Sequence, residues 1–233
     1  MSERNNYKMC AVAAIAGALT LFGGTLLHPS NADPNDPQAA FTEYAANRPW
    51  VASHLMQLFG IILIVVALVL LSRQMSNGGG ASWAYLGVIG AGASLSVAAA
   101  LQAVDGVALK LMVNTWATAS AADKDMLFLA TFAVRQIEIG LASILSLLIG
   151  MTVTIYGVAL VSDRSFPKWL GWLAILGGIA IAVAGIVMAY SGFSDLAMTI
   201  NLSASALLLV WLIVIGVWLW RLASAKSSDA TVA

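Results

Sequence analysis

The chain has a single cysteine, Cys10. One thiol cannot close an internal disulfide, form a redox pair or build a metal cluster. Its place at the start of an apolar run is that of a small buried residue. Histidine is almost as scarce: with only His28 and His54, any metal site must be small. Charge is the largest deficit. Asp, Glu, Lys and Arg make up 9% of the 233 residues, against roughly 25% in soluble domains. A soluble fold of this size could not cover its surface with so few. The formal net charge is zero, which leaves no basic field for nucleic acid.

Reaction motifs are missing as well. There is no Gly-x-Ser-x-Gly and no Cys–His pair for a nucleophile. Neither His-x-x-x-His nor His-Glu-x-x-His occurs. Ser76-Asn77-Gly78-Gly79-Gly80 lacks the lysine of a phosphate loop. Asp33, Asn35 and Asp36 begin like a calcium loop but lack its later glycine and glutamate. Ser53 adjoins His54, and neighbours on a helix point about 100° apart.

What the chain has in excess is apolar residues, 61% of the total. A membrane-crossing helix needs about 20 of them in a row. Six stretches qualify, at about 9–27, 50–71, 82–103, 136–161, 169–190 and 200–220. The first follows Arg4 and Lys8 and precedes Ser30-Asn31-Ala32, which resembles a signal-peptide cleavage sequence. Its apolar run is longer than such peptides carry, and Ala16, Thr20 and Gly24 suit helix packing in lipid. It reads as a retained span. Lys and Arg set orientation. With the N-terminus inside, Arg4, Lys8, Arg73, Arg164, Lys168, Arg221 and Lys226 fall inside, and Arg48, Lys110 and Lys124 fall outside with Arg135 at the boundary. The expected fold is therefore all-α, a single six-span integral membrane bundle with both termini cytoplasmic. It resembles small six-span bacterial membrane proteins in general layout, and a bacterial plasma (inner) membrane is its expected location.

The connections carry further signals. In the outer segment 28–49, Asp36 can cap a short helix whose first residue is Pro37. Residues 38–47 would form an amphipathic helix with Ala40, Phe41, Tyr44 and Ala45 on one face. Val104–Arg135 has no proline, so spans three and four are expected to continue as helices beyond the bilayer. Gly106 is the weak point of that extension. The polar segment 222–233 reads as a disordered tail.

The remaining polar residues fall at one depth. At a rise of about 1.5 Å per residue, His54 lies about 26 Å from Leu71, Asp105 about 33 Å from Trp83 and Glu138 about 35 Å from Val161. A hydrocarbon core is about 30 Å thick, so these groups form a layer near the outer interface, with His28, Gln57 and Gln102. Small residues lead up to the acids: Gly90, Ser94, Ala98 and Gln102 before Asp105, and Ala142, Ser146, Gly150 and Thr154 counting away from Glu138. Small faces let helices approach. The pattern predicts an outward-facing polar pocket lined by His54, Gln57, Gln102, Asp105, Arg135 and Glu138, binding a small ligand or ion for transport or sensing rather than performing catalysis. Arg135 and Glu138 are spaced for an ion pair. At headgroup depth, the simpler reading of that pair is an interfacial anchor that snorkels to water. Two alternatives stand beside the pocket. In one, His28 and His54, with Asp105 and Glu138, hold a metal ion or a haem in an enzyme or redox protein, since imidazole suits Zn, Cu and Fe. In the other, the chain is a structural subunit of a larger membrane complex or oligomer, packing through the small faces of spans three and five, the latter Ala174, Gly178 and Ala182. The residues name no particular cofactor, and beyond the lipid bilayer no particular partner.

Overall fold

The computed structural model describes residues 3–229. It contains seven helices and, among the described residues, no strand. They are α1 (Glu3–Leu27), α2 (Pro37–Ala46), α3 (Trp50–Gln74), α4 (Ala81–Ala117), α5 (Lys124–Ser162), α6 (Lys168–Ser191) and α7 (Asp195–Asp229). All but α2 are long and apolar enough to cross a membrane.

The six long helices close into a ring in which α1 touches α3, α3 touches α4, and the circuit continues through α5, α6 and α7 back to α1. Small residues bring the neighbours together. Gly17 and Gly60 seat α1 against α3, and Gly90 of α4 lies against Thr152 of α5. The closest pair is α5 with α6, where Gly150 faces Gly178 and Ala182, and Gly157 faces Gly171. Close backbone approach of this kind is how helices gain packing energy where lipid supplies no hydrophobic drive. The small face of Ala174, Gly178 and Ala182, expected to serve a partner subunit, is thus spent inside the chain.

One end of the ring is filled by an apolar cluster that includes Leu71, Met75, Tyr156, Leu160, Leu170, Trp211 and Leu219. Tyr156 reaches across the interior, donating its hydroxyl to the Leu68 carbonyl. The other end is finished differently. There α2 lies across the bundle and buries Ala40, Phe41 and Tyr44 against Trp50, Leu109, Val113 and Trp116. Asp36 caps α2 by accepting from the amides of Gln38 and Ala39, and Pro37 occupies its first position. At its far end the Lys110 ammonium donates to the carbonyls of Tyr44, Ala45 and Asn47. Tyr44 and Ala45 lie in the last turn of α2 and Asn47 is its cap, where a helix leaves carbonyls short of partners.

Two features differ from the sequence reading. Residues Gln102–Leu109 of α4 are π-helical; a glycine in a helix is a weak point, but the wider turn around it is not a feature of composition. And α7 runs on to Asp229, through most of the segment expected to be a disordered tail. Ala223 is fully buried, so packing against the bundle carries the helix past its apolar span. Residues 230–233 lie outside the described residues.

Candidate metal centre

At the end covered by α2, three ligand atoms from His28, His54 and Asp105 lie within 4.8 Å of one another. The residues arrive from three places: His28 just past the end of α1, His54 in the first turns of α3, and Asp105 in the π-helical part of α4.

The two imidazoles are held alike. His54 Nδ1 sits 2.7 Å from the Trp50 carbonyl, one turn earlier in α3. His28 Nδ1 sits 2.8 Å from the Pro29 carbonyl. A carbonyl only accepts, so each Nδ1 carries the proton, and each ring turns its Nε2 away from its own backbone. For His54 that nitrogen meets Asp105 Oδ2 at 2.9 Å. The rings are 5.2 Å apart and inclined by 59°. Trp50 packs against both, at 4.6 Å from His54 and 5.0 Å from His28, and Tyr44 of α2 lies on Trp50 at 4.5 Å.

Asp105 is aimed by its unusual backbone. π-helical turns are rare, and those that occur are frequent at functional sites. The Trp50 indole donates to the Asp105 carbonyl at 3.0 Å. Gly106 makes room for the histidine: a Cβ at that position would lie 2.6 Å from the Cβ of His54. Asp105 Oδ1 is buried and accepts no hydrogen bond from any described residue. The same holds for Oε1 of Gln102, a residue only 7% exposed whose Nε2 donates to Gln57 Oε1 at 3.2 Å.

Arg135 and Glu138 stand beside this centre on α5. One guanidinium nitrogen, Nη1, donates to both carboxylate oxygens, at 2.7 and 2.6 Å. Arg135 is 5% exposed and Glu138 3%, so the expected interfacial anchor is instead a buried pair. The depth count missed the roof. Arg135 lies between the rings of Tyr44 and Phe193, at 5.3 and 4.8 Å. Tyr44 comes from α2 and Phe193 from the turn between α6 and α7, two elements that pattern alone does not bring together. Because Arg135 occupies both its oxygens, Glu138 does not join the three-residue cluster.

The roof is tied down at several points. Glu43 accepts from the amides of Asn31 and Ala32 and from the Asn31 side chain, and Asn35 donates to the Phe193 carbonyl at 3.1 Å. Slight burial raises the Glu43 carboxyl, but the Ala32 and Asn31 donors outweigh it and hold the group below its ordinary range. Burial pushes the Tyr44 hydroxyl up to about 12, so it stays protonated and offers no phenolate. Burial likewise holds His28 below its ordinary range, against the opposing pull of Asp105.

Of the residues expected in the polar layer, His28, His54 and Asp105 converge, Gln57 and Gln102 form the next rung, and Arg135 and Glu138 form a separate pair. Trp50 and Tyr44 were not among them. Tyr44 lay on the predicted apolar face of the short helix, and Trp50 stood at the start of the second apolar stretch. A tryptophan one turn before a histidine is the single sequence signal for its role, and it is a weak one.

The sequence profile of one family, described as "Domain of unknown function (DUF4386)", matches residues 9–219. No curated protein and no solved structure matches the chain.

Proposed function

The chain belongs to the DUF4386 family, and on the strength of its site we propose that it is a metal-dependent membrane protein that binds one divalent transition-metal ion through His28, His54 and Asp105 at the outer end of the bundle. The observation that carries this reading is the matched pair of imidazoles. Each commits Nδ1 to a backbone carbonyl, and both converge with a half-buried carboxylate within 4.8 Å. Metal-binding histidines almost always donate their second nitrogen in this way, which fixes the tautomer and the ring. Asp105 Oδ1, buried without a donor from the described residues, is the kind of oxygen a cation satisfies.

Charge points the same way. Among the described residues, the permanent cation beside the acids Asp105 and Glu138, Arg135, is paired with Glu138, which leaves Asp105 with His54 alone. Imidazole with carboxylate suits zinc, iron(II), cobalt and manganese, and two histidines with one carboxylate is the set that leaves open positions in catalytic sites. The reading is therefore an enzyme-type centre rather than a closed structural one. Entry of the ion opens the 2.9 Å hydrogen bond between His54 and Asp105 and displaces its proton, as ligand deprotonation requires. A haem between the two histidines fits less well. The macrocycle would have to lie between rings that contact each other directly at 5.2 Å and share one carboxylate.

The test is metal analysis of the detergent-purified full chain after exposure to zinc and removal of free ion. The expected content is close to one equivalent, lost in His28→Ala, His54→Ala and Asp105→Asn. Equal metal in wild type and in the triple variant would overturn the proposal, as would no metal at all in the wild type.

A further inference from the structure

We infer that Gln102 is a positioning residue, whose Oε1 accepts a hydrogen bond from a single water molecule held on the ion at His28, His54 and Asp105. This rests on the metal reading above. Helices α3 and α4 face each other there with two rungs of polar contact. The upper rung is His54 with Asp105 and the lower is Gln57 with Gln102. The rungs are three residues apart on each helix, so the lower one lies about 4.5 Å further along α3.

Two buried acceptors of the π-helical segment, Asp105 Oδ1 and Gln102 Oε1, take no donor from the described residues. Buried acceptors in native proteins are almost always satisfied. An ion at the upper rung accounts for Asp105 Oδ1. The Gln102 amide stands one rung, about 4.5 Å of helix rise, from it. Gln102 Nε2 is already committed to Gln57, which turns Oε1 away from that partner. Three protein ligands leave a tetrahedral ion one open position. A water in that position becomes a stronger donor because the ion polarises it, and it is of the right size to bridge one rung. One molecule therefore accounts for both the open position and the second unpaired acceptor.

The experiment uses the full chain loaded with cobalt(II), whose visible spectrum reports its ligands, and titrates it with azide to displace the water. The wild type is expected to respond. Gln102→Leu is expected to keep its cobalt and its azide-free spectrum, while its azide Kd falls roughly three- to ten-fold, the worth of one lost hydrogen bond. Gln102→Glu keeps an acceptor and adds a negative charge, so its azide Kd is expected to rise, and it decides the matter if the leucine variant does not fold. Unchanged azide affinity in both variants, or no azide response in the wild type, would overturn the inference. So would a Gln102→Leu variant that loses cobalt or changes its azide-free spectrum, because the amide would then be a direct ligand. A wild type that binds no cobalt instead overturns the metal reading itself.

Discussion

Each of the two imidazoles at this site has its Nδ1 proton held by a carbonyl, one from Trp50 and one from Pro29. For His54, the smallest residue in the neighbourhood makes room. A Cβ on residue 106 would strike the His54 side chain, so Gly106→Ala should leave helicity intact and lower zinc affinity by about 10- to 100-fold, the loss typical of disturbing a ligand's support. Calorimetric titration beside circular dichroism checks both halves. Glu43 gives a pH-dependent outcome. Its carboxyl is held below the ordinary range by the Asn31 and Ala32 donors. A depressed acid contributes stability above its unfolded range and loses it as pH falls through its folded range. Hydrogen exchange around Asn31–Ala32 should therefore be faster in Glu43→Gln than in wild type at neutral pH. That difference should vanish in acid, where the wild-type carboxyl is also protonated. A difference that persists at low pH would show that the carboxylate charge is not what holds the loop.

At the scale of elements, the short helix α2 decides whether the site is a wet rim or an enclosed centre. Asp36 and Pro37 mark its start plainly, and its buried face of Ala40, Phe41 and Tyr44 follows helical spacing. What pins it, the Lys110 ammonium on two of its terminal carbonyls and that of its cap residue Asn47, comes from a different helix, and no local pattern announces it. Hydrogen bonds from a charged donor contribute about 1.5–3 kcal/mol each, shared here among three acceptors and partly screened by solvent. Lys110→Ala is expected to loosen α2 while the six long helices hold. Limited proteolysis within 37–46 should accelerate several-fold with little change in the main thermal transition. Equal cleavage of the two proteins would show that α2 is held by its apolar face alone.

For the whole molecule, the six apolar runs were legible because lipid imposes length and composition on anything that crosses it. The pairing of His54 with Asp105 and of Gln57 with Gln102 joins residues that rise per residue already placed in one layer. The grouping within that layer was not legible. Depth says nothing of azimuth, and the π-helical turn at Gln102–Leu109 shifts Asp105 relative to any ideal helix. His28 came from beyond a helix end, where no period applies, and the burial of Arg135 and Glu138 depends on Tyr44 and Phe193 folding over them. The ring of helices thus brings one residue from the end of α1, one from α3 and one from α4 to a single point beneath α2. The most direct measurement of that claim is anomalous diffraction at the zinc edge from crystals of the zinc-loaded chain. The account predicts one strong peak about 2.0–2.2 Å from a nitrogen of His28, a nitrogen of His54 and an oxygen of Asp105. A peak elsewhere, or none with the His54–Asp105 hydrogen bond still closed, would contradict it.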